Sequence, residues 1–151
     1  MEIETLEKIL DEHPFFRSMK EHHLRIIVES ATVVRFEPQQ VIFHEGEPAQ
    51  RFYLIRTGKV ALQLVSYRTE PLTLLTLGEG DIIGWSWLFP PYRWKFTAKG
   101  LSVTQAISLD GGSLRARCDE DHDLGFELMK RFAQIIDNRV EALSVHLVAV
   151  G

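Results

Sequence analysis

The fold is decided by the stretch FYLIRTGKV, residues 52–60, in which a run of β-forming residues stops at Thr57-Gly58 and resumes at Val60. A short glycine-containing break between two such runs is typical of strands joined by a turn. Further runs lie at residues 33–36, 41–44, 60–66, 72–77, 82–83, 96–99 and 103–109, with turn residues between them. Eight short strands without crossover helices predict a sandwich or jelly-roll barrel rather than a parallel sheet.

Helical patterns precede this β-rich region. Apolar residues recur at helix spacing over residues 3–10, and the pattern stops at His13-Pro14. Ser18 and Glu21 have the spacing of a capping box, which predicts the start of a second helix.

The chain becomes helical again after residue 112. Ser113 is expected to cap a short helix over 114–118, and Asp119 or Asp121 to cap a long helix that ends near residue 148.

The expected fold class is mainly β with flanking helices: an eight-stranded jelly-roll barrel, short N-terminal helices and a long C-terminal helix. We expect one domain over 1–151, with a helical entry over 1–31, a β-roll over 32–110 and C-terminal helices over 113–150.

Net charge, cysteine count and hydropathy limit the partners and the cellular compartment that we expect for this protein. The chain has 17 Lys and Arg against 21 Asp and Glu, a net charge of −4, whereas non-specific nucleic-acid binding depends on positive charge. Cys118 is the single cysteine, so an intrachain disulfide is excluded and a reducing compartment is favoured. The N-terminus has no signal-peptide pattern and no apolar run has transmembrane length. We therefore expect a cytoplasmic protein with no direct nucleic-acid or membrane partner.

The long C-terminal helix carries a second apolar pattern. Its spacing alternates between three and four, which is coiled-coil periodicity and predicts a homodimer through this helix. The seam consists of Met129, Ala133, Ile136, Val140, Leu143 and Leu147. Leu128, Phe132 and Ile135 lie beside the seam and are expected to pack on the barrel. The alternative is a single amphipathic helix buried entirely on its own barrel.

A candidate anion site follows the short run at 82–83. Gly84 comes directly after Ile83, Trp85 and Ser86 begin a short apolar turn of helix, and Arg93 lies a few residues further on. Glycine lets a ligand approach the backbone closely, and the free N–H groups of a helical turn point towards an anion. Because an arginine can close such a site with paired donors, the pattern predicts a phosphate-type ligand.

Four segments together resemble the cyclic nucleotide-binding domain of the catabolite activator protein and its relatives. They are HPFF at 13–16, VIFHEGEPA at 41–49, FYLIRTGKV at 52–60 and LGEGDIIG at 77–84. Their order and spacing carry the resemblance over most of the chain. It implies a jelly roll flanked by helices, cyclic AMP or cyclic GMP as ligand, no cofactor, a regulatory rather than enzymatic role, and a dimer through the long helix.

The chain departs from the family's pattern within the ligand site. Trp85, which cannot accept a hydrogen bond, replaces the glutamate that binds the ribose hydroxyl. An ungapped register puts Tyr92 at the phosphate-binding arginine, whereas a shift of one residue puts Arg93 there and Trp94 at the following hydroxyl position. The resemblance also places Arg139 near the point where the long helix contacts the base; the alternative is that Arg139 is a solvated helix residue.

Two interpretations of this pocket follow. In the first, it binds a cyclic nucleotide or related anion, with Arg93 or Lys95 neutralising the phosphate beside the backbone N–H groups of Trp85 and Ser86. In the second, the pocket is degenerate, and the domain is a ligand-free dimeric interaction module or holds a different small ligand. The aromatic residues that would then fill the pocket are Trp85, Trp87, Phe89 and Trp94.

Other chemistry has little support in the sequence. Of six histidines only His44 lies in a predicted strand, and His22 and His23, adjacent on a predicted helix, are expected to point to different faces. We therefore expect no metal site, no catalytic residue and no enzymatic activity. A helix-turn-helix domain would have to follow the long helix, and the chain ends at Gly151, so direct DNA binding is not expected.

Overall fold

The computed structural model describes residues 3–65 and 69–150, and the side chains of residues 5–65 and 69–145. Two helices, α1 (Ile3–Glu12) and α2 (Glu21–Glu29), precede the strands. The strands are β1 (Ala31–Phe36), β2 (Val41–Phe43), β3 (Arg51–Thr57), β4 (Val60–Leu64), β5 (Leu72–Leu77), β6 (Ile82–Ile83), β7 (Thr97–Gly100) and β8 (Thr104–Asp110). A 3₁₀ turn, Ser86–Leu88, lies between β6 and β7, and α3 (Gly111–Glu120) and α4 (His122–Val150) follow β8.

The strands form two four-stranded antiparallel sheets, with the orders β1-β8-β3-β6 and β2-β7-β4-β5. Strand β3 lies between two partners, so that Tyr53 faces Ser108 of β8 on one side and Ile83 of β6 on the other. This arrangement confirms the predicted jelly roll with short N-terminal helices and a long C-terminal helix. All eight predicted strands are present, with ends that differ by at most two residues from the expected ones.

An aromatic cluster joins the first sheet to the turn and to the long helix. The Phe52 and Trp87 rings stack, with centroids 5.0 Å apart and an interplanar angle of 9°. The Phe132 ring of α4 meets both edge-on, at 5.2 Å from Phe52 and 5.6 Å from Trp87. All three side chains are fully buried, so this cluster fixes the 3₁₀ turn between the barrel and α4.

Helix α4 packs on the barrel through the residues that the sequence predicted for this role. Leu128 and Phe132 are buried, and Ile135 is partly buried against the core. The Arg131 guanidinium donates to the carbonyl oxygens of Phe15 and Arg17, which attaches the entry segment to the helix. None of the described helices is both long enough and apolar enough to cross a membrane.

Two predicted helix caps are wrong, and one is confirmed. Ser18 has a φ of 65° and the N-cap of α2 is Lys20, without a side-chain cap bond. Helix α3 begins earlier than expected because Asp110, not Ser113, is its N-cap and accepts a hydrogen bond from the Ser113 N–H. Asp121 Oδ1 accepts from the Leu124 N–H at 3.2 Å, as expected for the cap of the long helix.

His22 and His23 differ in exposure, as expected for different faces of α2, but their rings lie close together. Their ring centroids are 4.1 Å apart. His23 is entirely buried beneath the start of α4, where its Nε2 lies 3.0 Å from Asp121 Oδ2, while His22 remains exposed.

Gly58, in the turn that decides the fold, provides a test of the β3–β4 connection. Its φ is +100°, and an added Cβ would stand 2.5 Å from the Val103 carbonyl oxygen. Gly80 has a similar φ of +87° but open space around the same position. We expect Gly58→Ala to lower the free energy of unfolding by about 3 kcal/mol or more, because strain and a backbone clash add. Gly80→Ala should lose only about 1 kcal/mol.

Chemical denaturation of both variants measures this difference. Equal losses in Gly58→Ala and Gly80→Ala would contradict the close approach of β8 to the turn.

Candidate functional site

Gly84 lies at the centre of the candidate site, at the end of β6. Its φ is +99°, a conformation that side-chain-bearing residues rarely adopt. An added Cβ would stand 2.8 Å from Cη2 and 2.9 Å from Cζ3 of Trp94, and 3.3 Å from the Arg51 carbonyl oxygen. The Trp94 indole therefore occupies the space directly against the Gly84 backbone.

Trp94 is held in this position from both sides. Its indole stacks on Phe43 with centroids 3.7 Å apart and an interplanar angle of 10°, and the side chain is buried. Its backbone N–H donates to the Glu47 carbonyl at 3.0 Å, and its carbonyl accepts from the Gly46 N–H at 2.8 Å. The loop before β7 is therefore fixed to the turn after β2, with the indole directed inwards.

The remaining space beside Gly84 is small. Its lining includes Trp85, Ser86 and Arg139, together with Phe43, Leu62, Trp94, Lys95 and Phe96. The cavity has a volume of about 20 Å³, room for a single water molecule. An apolar cavity of about 120 Å³ lies next to it, between β4, β5 and α4, and shares Leu62, Trp85, Phe96 and Arg139 as lining residues.

Arg139 is the charged group that the structure brings to this site. It projects from α4 and is 9% exposed, and its Nη2 donates to the Ile82 carbonyl of β6. The guanidinium carbon lies 5.4 Å from the Trp85 ring centroid, within cation–π range. Burial lowers the pKa of Arg139 to about 10, partly offset by the nearby Asp81 carboxylate, so the side chain remains charged at neutral pH. Arg139 therefore contacts the segment 82–88, which we call the cassette, and is not the solvated helix residue of the alternative interpretation.

One nitrogen of this guanidinium is not satisfied. Nη1 of Arg139 is buried and has no hydrogen-bond partner within residues 3–65 and 69–145. Buried donors on charged groups nearly always have a partner, because leaving one unpaired costs about 1–3 kcal/mol. An unpaired cationic donor at the edge of the cassette is the feature of the site that most resembles a ligand contact.

Arg93, the predicted phosphate ligand, lies elsewhere. Its side chain is exposed, and its Nη1 donates to the Gly46 carbonyl at 2.9 Å. Tyr92, the other candidate for that position, packs beneath the Arg115 guanidinium at 3.9 Å. Neither side chain lines the cavity beside Gly84. The exposed Lys95 does line it and is the second cation of the site.

The structure thus brings together most of the predicted ligand-binding residues. Ile83, Gly84, Trp85, Ser86, Trp94 and Arg139 lie in or beside the cassette, and Arg93 does not. Sequence reasoning missed Phe43, which stacks on Trp94. Phe43 lay within the predicted strand 41–44, but the β2–β7 pairing that puts it beside Trp94 is a tertiary contact that no local pattern shows.

The other aromatic residues of the second interpretation have separate roles. Trp87 is part of the core cluster with Phe52, and its carbonyl accepts from Arg115 Nη1 at 2.7 Å. An added Cβ on Gly111 would come within 2.6 Å of the Trp87 ring, so α3 also packs on this indole. Phe89 ends the 3₁₀ turn and is partly buried. Trp87 therefore packs in the core beneath the 3₁₀ turn and does not fill the cavity beside Gly84.

The sequence pattern of the cyclic nucleotide-binding domain family matches residues 33–121, more than half of the chain. The chain is 23% identical over 129 residues to the CRP-like cAMP-activated global transcriptional regulator of Mycobacterium tuberculosis, covering 85% of this chain and 58% of that protein. It is 33% identical over 78 residues to the cAMP-dependent protein kinase regulatory subunit of Hypocrea atroviridis, covering 52% and 16% respectively. The chain thus spans little more than half the length of the first relative.

Solved structures agree with the sequence match. The fold superimposes on a putative cyclic nucleotide-binding protein from Geobacter metallireducens with a TM-score of 0.80 and 26% identity, covering 93% of this chain and 98% of that one. The order of the strands, the glycine after β6 and the matched residues 33–121 all indicate the same family. The chain belongs to the cyclic nucleotide-binding domain family.

Proposed function

We propose that this chain is a cytoplasmic, non-enzymatic regulatory domain that works without a cyclic nucleotide in its cassette and acts through α4. The observation that carries this proposal is the indole of Trp94, which lies against Gly84 where a phosphate would have to approach. The remaining cavity of about 20 Å³ cannot admit a nucleotide. The glutamate that relatives use for the ribose is replaced by Trp85, which offers no acceptor.

In this proposal protein groups supply the link that a ligand would otherwise make. Arg139 of α4 bonds to the Ile82 carbonyl and lies over the Trp85 ring, so the long helix is attached directly to the cassette. A charge-assisted hydrogen bond contributes about 1.5–3 kcal/mol, enough to bias the position of a helix that packs on the barrel along one face.

A second candidate function is a sensor for cyclic AMP, cyclic GMP or a related anion. The specific observation in its favour is the buried Nη1 of Arg139, which has no partner in the part of the chain that the structure describes. In this case the ligand would displace Trp94 from Gly84 and take its charge neutralisation from Arg139 and Lys95. Arg93 would have no role, since its side chain is bonded to Gly46.

We also propose that α4 pairs with a second copy of the chain. Of the seam residues, Met129 and Val140 are 48% and 57% exposed, and Ala133 is exposed, whereas Ile136 and Leu143 are partly buried. Leu147 lies outside the described side chains. Apolar residues at heptad spacing on the uncovered face of a helix support a coiled-coil partner.

Nucleotide titration tests the first proposal against the second. We expect no saturable heat when wild-type protein is titrated with cyclic AMP or cyclic GMP up to about 1 mM, because the indole and the missing acceptor both oppose binding. Trp94→Ala empties the space over Gly84 and should bind more tightly than wild type. Its folded state is checked by circular dichroism, since removing a buried indole costs about 3–5 kcal/mol. Micromolar binding by the wild type would favour the sensor.

Hydrogen exchange tests the attachment of α4 to the cassette. Arg139→Met keeps most of the side-chain volume but removes the donor to Ile82. We expect roughly tenfold faster exchange of the backbone amides of residues 135–145, the equivalent of losing about 1.5 kcal/mol of local stability. Lys130→Met on the exposed face of the same helix is the matched control and should leave these amides unchanged. Equal protection in both variants would show that Arg139 does not hold the helix.

Sedimentation tests the pairing of α4. We expect the wild type to sediment as a dimer and Val140→Glu as a monomer, because the substitution puts a charge in an apolar seam. Gln134→Glu adds the same charge at an exposed position of α4 outside the seam and should remain dimeric. A monomeric wild type, or equal behaviour of the two variants, would rule out the seam.

A further inference from the structure

Away from the cassette, three metal-ligating side chains meet where α2 packs under the start of α4. His22 and His23 come from the first turn of α2, and Asp121 lies between α3 and α4. One potential ligand atom from each residue lies within 4.8 Å of those of the other two. We propose that His22, His23 and Asp121 bind a divalent transition-metal ion, with Zn²⁺ as the best match.

The donor set fits this ion. Zinc is bound at about 2.0–2.2 Å by imidazole nitrogen and carboxylate oxygen, usually in a tetrahedron, which puts neighbouring donors about 3.3 Å apart. His23 Nε2 and Asp121 Oδ2 are already 3.0 Å apart. His22 is exposed, so a change of its side-chain torsions closes the remaining distance without moving the backbone. A fourth position stays open for water, as in zinc sites with three protein ligands.

His23 is held in place for this role. It is 0% exposed, and its Nε2, which faces Asp121, is the nitrogen that would bind the ion. Its Nδ1 has no hydrogen-bond partner in the described residues and takes no part in binding through Nε2. Asp121 is fixed by the Leu124 N–H, which donates to Oδ1 and leaves Oδ2 facing His23.

The proposed site lies between two helices that an ion would connect. Helix α2 belongs to the entry segment, and Asp121 caps α4. An ion bound here joins the entry segment to the first turn of the long helix. This inference does not rest on the proposed function, because none of the three residues belongs to the cassette.

Zinc titration of untagged, chelator-treated full-length protein tests the proposal. We expect one saturable equivalent of Zn²⁺ by calorimetry and a rise in melting temperature with added ZnCl₂, since an ion that binds only the folded state stabilises it. His22→Ala should weaken the affinity by at least roughly tenfold, the lower end of the effect seen even for second-shell partners. It should not alter the melting temperature without zinc, because His22 is exposed.

His122→Ala is the matched control, since this exposed imidazole is adjacent to Asp121 in sequence but outside the cluster. It should bind Zn²⁺ like the wild type.

Asp121→Asn retains an oxygen for the α4 cap and should bind Zn²⁺ more weakly than the wild type. Co²⁺ in place of Zn²⁺ should give visible absorption bands of a tetrahedral site in the wild type and not in His22→Ala. No saturable binding by the wild type, or equal binding by wild type and His22→Ala, would overturn the proposal.

Discussion

The contact on which this molecule depends is the stacking of Trp87 on Phe52, closed from above by Phe132. These three rings belong to a turn, a central strand and the long helix, so a single buried cluster sets the relative position of all three. The cassette is adjacent to this cluster in the chain. Trp85 and Ser86 directly precede Trp87, and Arg139 is two helical turns beyond Phe132 on the same side of α4. Rigid packing of the aromatic cluster therefore places the polar and charged groups of the site.

In the cassette, a side chain of the same chain occupies the space next to the glycine backbone. Gly84 keeps the left-handed backbone that lets another group approach closely, and the approaching group here is an indole of the same chain. The positive charge at the cassette comes from the long helix. The guanidinium at the cassette comes from α4 through Arg139, whereas Arg93 in the loop is bonded to the backbone of a neighbouring turn. Because a buried guanidinium without a partner is costly, its bond to the Ile82 carbonyl favours contact between α4 and the cassette.

Helix α4 is attached to the rest of the chain at several separate points. Near its start, Asp121 caps the helix and bonds to His23 of α2. In the middle, Arg131 bonds to the entry segment and Phe132 enters the aromatic cluster. Further along, Arg139 bonds to β6. These contacts lie along one side of the helix. Of the heptad residues, Ile136 and Leu143 are partly buried beside Arg139, whereas Met129, Ala133 and Val140 are exposed.

The sequence determined the fold class, the strands, the glycine cassette and the barrel-facing side of α4. These follow from local composition, turn residues and periodicity, which depend on neighbours in the chain. Tertiary structure alone decided the contents of the site. Phe43 lies 51 residues from its stacking partner Trp94, and Arg139 lies 57 residues from the Ile82 carbonyl, so no local pattern could pair them. The same holds for His23 and Asp121, which are 98 residues apart. Hydrogen bonds and ring stacking between distant residues depend on sheet register and helix packing, and those are fixed only when the whole core has formed.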